Sequence, residues 1–139
     1  MNIGIVGSRR WTDKIKIKDF IFEIKNRYGT NVTIVSGGCR NGADRYAKKY
    51  ALEFDMKYEE FPPTHEQHNM YCVLPKFKYE KPYAVWHFFE RNKQIAEHSD
   101  IVIGFIPDGV ESNGTMSTID HAKKLNKKTV IISWIYIYI

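Results

Sequence analysis

At 139 residues the chain has the size of one domain with one hydrophobic core, and its 43% hydrophobic and 27% charged residues are those of an ordinary soluble globular protein. Two cysteines make no disulfide framework, the N-terminal apolar run is too short for a signal peptide, and no run is long enough to span a bilayer, so a cytoplasmic protein with no membrane role is expected. A net charge of +5 suits an anionic partner, but the lysines are scattered along the chain as on solvated helix faces and form no continuous nucleic-acid stripe.

Ile3-Gly4-Ile5-Val6 reads as a buried strand that runs into the polar loop Gly7-Ser8-Arg9-Arg10-Trp11. Thr12 or Asp13 caps the next helix, whose apolar stripe is Ile17, Phe20, Ile21, Ile24 and Tyr28, and Gly29 closes it. Val32 to Val35 is a second strand. It leads through Ser36-Gly37-Gly38-Cys39-Arg40-Asn41-Gly42-Ala43-Asp44 into a helix that ends near Phe54. Lys57 to Glu60 is a weaker third strand. The proline-containing segment from Phe61 to Pro82 is long for a connection and rich in aromatics, and is expected to form a flap or lid. A helix with Val85, Phe88, Phe89, Asn92, Ile95 and Ala96 on one side precedes a fourth strand, Ile101 to Phe105. After a polar turn, Gly114-Thr115 opens a last helix with Met116, Ile119 and Ala122 inward, and Thr129 to Ser133 is the next strand. The uncharged, alternating tail from Trp134 to Ile139 reads as a strand that needs cover from a partner subunit or from the domain itself, with a homodimer favoured.

Short apolar strands alternating with amphipathic helices predict a single α/β domain over residues 1–139. Its form is a Rossmann-like three-layer sandwich with a mostly parallel central sheet. Right-handed crossovers bring every strand's C-terminal end to one edge, where open α/β sheets bind ligands. Gly7 to Trp11, Ser36 to Asp44, the flap, and the turn ahead of Thr115 therefore converge on one crevice.

The chemistry in these loops favours an anion. Gly37-Gly38 allows close backbone approach at a helix start, and Asn113-Gly114-Thr115 repeats that arrangement with a hydroxyl beside free N–H groups. Arg9 and Arg10 suit bidentate phosphate recognition. Trp11 either stacks on a base or covers the core edge. Arg91, with Asn92, borders the buried stripe of its helix and needs an anionic partner or solvent. Asp44 suits the helix dipole, and Cys39 reads as a small packing residue. His65, His68 and Cys72 lack zinc-site spacing and a fourth ligand, so neither a metal nor another cofactor is expected.

Four stretches, Ile5 to Arg9, Ser36 to Asp44, Arg91-Asn92 with Ser99-Asp100, and Gly114-Thr115, come in the order found in the SLOG superfamily of Rossmann-like domains. The chain resembles its YpsA-related, YspA-like branch. The resemblance implies a nucleotide or nucleotide-derived ligand at the strand C-terminal edge, and with the loop chemistry above the expected contacts are Gly7, Ser8, Arg9, Arg10, Trp11, Ser36, Gly37, Gly38, Cys39, Asn41, Gly42, Ala43, Asp44, Arg91, Asn92, Asn113, Gly114 and Thr115. Relatives of the LOG phosphoribohydrolase type imply an N-glycosidase in which Arg91 is catalytic. The glutamate those enzymes carry three residues after Gly-Thr is Thr118 here, and threonine neither stabilises an oxocarbenium-like centre nor activates water. Other members imply a sensor, or a sequestering protein, for an ADP-ribose-like or cyclic nucleotide signal in bacterial defence. DNA-processing members imply a nucleic-acid interaction module. Binding of a nucleotide-derived small molecule is the favoured expectation.

Overall fold

A computed structural model of the protein describes residues 1–38, 41–61, 85–134 and 137–138, with the side chains of 85–88 and 137–138 excepted. Among the described residues, six strands and four α-helices follow in order: β1 (Asn2–Gly7), α1 (Lys14–Tyr28), β2 (Thr33–Ser36), α2 (Ala43–Glu53), β3 (Lys57–Glu60), α3 (Val85–His98), β4 (Ile101–Phe105), α4 (Asn113–Lys124), β5 (Lys128–Ile132) and β6 (Ile137–Tyr138). The sheet order is β3-β2-β1-β4-β5-β6. The first five strands are parallel, and β6 returns antiparallel onto β5 with Ile131 opposite Tyr138. This is the expected Rossmann-like α/β architecture. The order reverses between β1 and β4, and crevices form at such a switch point.

Alternation along the strands builds the three layers. Successive strand side chains point to opposite faces. Ile3, Ile5, Ile34, Ile103 and Phe105 accordingly join Ile17, Ile21 and Ile24 of α1 and Ala43, Ala47, Tyr50 and Ala51 of α2 in one core. Val6, Val35 and Val102 join Ile95 and Ala96 of α3 and Ile119 and Ala122 of α4 in the other. In α1 the predicted stripe is buried at Ile17, Ile21 and Ile24, whereas Tyr28 reaches solvent at the last turn. Phe89, expected inward on α3, is exposed.

The helix ends follow local chemistry. Asp13 caps α1 by accepting the Lys16 N–H at 3.2 Å, and Gly29 closes the helix with φ 65°. Three lysines then serve backbone carbonyls: Lys25 Nζ donates to Phe54 O, Lys127 Nζ to Ala96 O and Glu97 O, and Lys16 Nζ to Ser133 O and Trp134 O. The C-terminal tail is received by its own sheet through β6, one of the two covers the sequence allowed. The predicted flap from 61 to 82 falls, after Phe61, outside the described residues, as do His65, His68 and Cys72. Among the described residues no helix is long and apolar enough to cross a membrane, and no group of histidine, cysteine or carboxylate residues could hold a metal ion.

Candidate functional site

The loops after β1 and β2 pack directly on each other. Ser8 O accepts the Trp11 N–H at 3.1 Å and the Ala43 N–H at 3.2 Å, so one carbonyl ties the turn after β1 to the start of α2. Ser8 N–H continues the β1–β4 ladder onto Phe105 O at 2.9 Å, and Ser8 Oγ accepts the Arg10 N–H at 3.0 Å. Gly42, at φ 72°, lies against Ser8 O and Arg9 Cα, where no Cβ fits. Arg9 and Arg10 are left exposed at the rim.

Trp11 resolves the alternative the sequence left open. Its ring is 1% exposed, meets Phe105 edge-on at 5.2 Å and donates Nε1–H to Asp13 O at 2.8 Å. It covers the core edge and has no free face for a base, which corrects its expected place among the ligand contacts. An indole packed into the core is worth more to it than a polar loop position suggests.

Across the switch point, α3 delivers Arg91 and Asn92, which are 8% and 4% exposed. Arg91 Nη1–H donates to Gly37 O at 3.0 Å and Nε–H to Asn92 Oδ1 at 2.9 Å, and Asn92 Nδ2–H donates to Gly114 O at 3.2 Å. These partners fix the orientation of the amide. The pair therefore bridges the loop after β2 to the start of α4 and sets the N-termini of α2 and α4 on either side of a buried guanidinium. Gly37 permits this approach: a Cβ there would collide with Arg91 and lie 3.0 Å from Asp44 Oδ2. The buried Asp44 carboxylate thus borders the same point as Arg91.

The structure also shows that some N–H groups assigned to an anion have partners within the protein. Ala43 N–H goes to Ser8 O, and Gly38 N–H goes to Ser36 Oγ at 3.3 Å. The Gly38 bond belongs to a chain with a single proton order. A carboxylate only accepts, so Tyr58 O–H donates to Glu60 Oε1 at 2.9 Å. The Tyr58 oxygen then accepts from Ser36 Oγ–H at 2.6 Å, and Ser36 Oγ accepts from Gly38. Burial above all holds the Tyr58 hydroxyl far above the ordinary phenol range; Ser36 opposes this, and Glu60 and Asp44 add to it. Tyr58 and Glu60 were missed in the sequence. The available signal was their period-two placement at the C-terminal end of a parallel strand, hidden by the weak apolar pattern of β3.

Asn113, Gly114 and Thr115 open α4, where the Thr115 and Ser112 hydroxyls are 2.6 Å apart. Thr118 is 1% exposed and donates its hydroxyl to Gly114 O at 3.2 Å. Ser99-Asp100 lies at the opposite end of the sheet: Asp100 Oδ2 accepts the Asn2 N–H at 2.7 Å and locks β1 to β4. Cys39 and Arg40 lie outside the described residues.

Known structures share this fold. The chain is similar to the molybdenum cofactor binding protein of Rippkaea orientalis (19% identity, TM-score 0.68, 95% of this chain and 76% of that one). It is similar to DNA processing protein A of Helicobacter pylori, described for its single-stranded DNA binding mode (25% identity, TM-score 0.67, 94% of this chain), of which it spans 64%. It is also similar to the molybdenum cofactor carrier protein of Chlamydomonas reinhardtii (16% identity, TM-score 0.62, 94% of this chain and 74% of that one). No curated protein matches in sequence. The model of the YAcAr family, described as the YspA, cpYpsA-related SLOG family, matches residues 1–68, the part that carries β1, β2, β3 and the glycine-rich turn, and over that part the chain resembles this family.

Proposed function

We propose that the protein binds a phosphorylated, nucleotide-derived small molecule at the C-terminal edge of the sheet, as a sensor or sequestering protein for a nucleoside phosphate, ADP-ribose-like or cyclic nucleotide signal. The observation that carries this reading is the Arg91–Asn92 bridge from Gly37 O to Gly114 O. It holds a buried cation and two helix N-termini at one switch point, an arrangement suited to phosphate. Arg9 and Arg10 at the rim supply charge-assisted hydrogen bonds. Proteins of the same fold whose names record a molybdenum cofactor or single-stranded DNA as ligand support a binding role.

The N-glycosidase reading needs a carboxylate where Thr118 stands, and that residue is buried and bonded to Gly114 O. Its test is release of free base from a nucleoside monophosphate, with Arg91→Ala as the comparison. Equal inertness of the two proteins removes it.

A thermal-shift series with adenosine 5′-monophosphate, cyclic adenosine monophosphate and ADP-ribose tests the binding reading. A ligand at a hundred times its Kd stabilises the fold by about 2.7 kcal/mol. Because Arg9 and Arg10 are exposed, Arg9→Ala and Arg10→Ala weaken binding by roughly tenfold each with unchanged stability of the free protein. No shift with any phosphorylated nucleotide at millimolar concentration counts decisively against it.

A further inference from the structure

The crevice carries a feature that a plain anion site has no use for, a carboxylate at its β3 end. Glu60 follows Tyr58 at the end of β3, and its side chain fills the space beside Gly38: a Cβ on Gly38 would lie 2.6 Å from Glu60 Cγ and Oε1. Gly37, the preceding residue, is the one pressed against Arg91 and Asp44. Consecutive Cα atoms are about 3.8 Å apart, so the guanidinium and the Glu60 carboxylate line adjacent positions of one loop, within the width of a small ligand.

The bonding of Glu60 is one-sided. Tyr58 O–H and Lys48 Nζ both fall on Oε1, at 2.9 and 3.3 Å, which leaves Oε2 as an acceptor. The Ser36–Tyr58 chain holds the carboxylate in place, and the side chain keeps 31% of its surface exposed. Lys48 is half exposed, so water screens much of its pairing and it offsets only part of the negative charge.

We infer that Glu60 is a specificity-determining residue of the crevice. It accepts hydrogen bonds from a donor group of the ligand, a sugar hydroxyl or an amino group, and it turns away ligands that carry a second phosphate at that end. Specificity is a difference of affinities, and a fixed like charge is an effective way to lower the wrong one. The ligand class is thereby narrowed to molecules with phosphate at one end and a neutral, donor-rich group at the other. This rests on the binding reading proposed above.

The experiment compares affinities for adenosine 5′-monophosphate, adenosine 3′,5′-bisphosphate and adenosine 2′,5′-bisphosphate by titration calorimetry. The wild-type protein prefers the monophosphate over both bisphosphates by about tenfold or more, the scale of a single charge-assisted hydrogen bond. Glu60→Gln keeps the shape and an acceptor for Tyr58 but removes the charge, and collapses that preference. Lys48→Gln leaves the carboxylate less neutralised and widens it. Glu59→Gln, an exposed neighbour paired with His98 at 2.6 Å, leaves it unchanged. Equal wild-type affinity for mono- and bisphosphates, or a preference that survives Glu60→Gln, overturns the role of Glu60 while leaving nucleotide binding in place. Failure of the wild-type protein to bind any of the three overturns the binding reading and this one with it.

Discussion

Two glycines isolate what the contact between the first two loops is worth. Gly29 has φ 65° and ψ −138°, and Gly42 has φ 72° and ψ −144°, so alanine meets the same backbone strain at both. Such conformations cost about 1–3 kcal/mol for a residue with a side chain. Around Gly29 a Cβ meets open space, whereas at Gly42 it strikes Ser8 O and the Arg9 backbone. Urea denaturation should show Gly42→Ala losing at least about 1 kcal/mol more than Gly29→Ala, the scale of overpacking; equal losses would mean that the loops do not press on each other. Tyr58 gives a second readout. Its folded hydroxyl stays protonated far above its ordinary value of 10.0 because it is buried. Below pH 10 both states keep the proton and pH has no effect through this group. Above pH 10 the unfolded phenol ionises first, the folded state binds more protons, and stability falls. The difference between wild type and Tyr58→Phe removes the other tyrosines and lysines, so the alkaline loss assigned to Tyr58 is read directly. A flat difference from pH 9 to 11 would place the hydroxyl in water.

Elements with strong periodicity were legible, and elements whose role depends on neighbours were not. The stripe Ile17, Ile21 and Ile24 announced α1, and Ile101 to Phe105 announced β4, because a buried face must repeat at the period of its element. Trp11 was ambiguous because its layer is formed by Phe105, distant in the chain, and no local pattern encodes that packing. Arg91 and Asn92 were foreseen as candidate contacts, with a structural ion pair for Arg91 as the alternative, but their bonds to the backbone carbonyls of Gly37 and Gly114 were not, because carbonyls carry no sequence signature. Ser36, foreseen as a ligand contact, stands in the middle of the chain from Gly38 to Glu60; its bond from Gly38 is local, but its partner Tyr58 becomes visible only once β2 and β3 pair. The tail is the element whose predicted need for cover can be tested. With β6 paired to β5, the edge of β5 is occupied. Ending the chain after Trp134 keeps the Lys16 bond to Trp134 O but bares that edge, and unpaired edges recruit other chains. Light scattering should report a higher mean mass or visible aggregation for the shortened chain; unchanged mass and solubility would show that β5 tolerates a free edge.

At the scale of the whole molecule the question is what the +5 charge is for. A single-stranded DNA module such as the Helicobacter pylori neighbour suggests one use, but the placement of cations argues for a small ligand. Lys16, Lys25 and Lys127 bond backbone carbonyls, Lys48 pairs with Glu60, and Lys18 of α1 and Lys49 of α2 lie 5.9 and 5.3 Å from the Tyr50 ring centre. The loop after β1 presents Arg9 and Arg10 to a polyanion, whereas Arg91 is buried. Counterion release makes the salt dependence of binding a count of neutralised phosphates, with a slope of about −0.7 per phosphate on a single strand. Two rim arginines therefore give a slope of log K against log salt of about −1.4 for a labelled oligonucleotide followed by fluorescence anisotropy. A slope of about −4 or steeper would require some six phosphate contacts and would move the reading from a pocket that holds one small anion to a surface that tracks a strand. In that case Arg9→Ala and Arg10→Ala would each reduce the slope by about 0.7 while the bulk of the affinity survived. For a pocket the same substitutions remove most of the oligonucleotide binding outright, because the phosphate that enters the crevice is the one that is held.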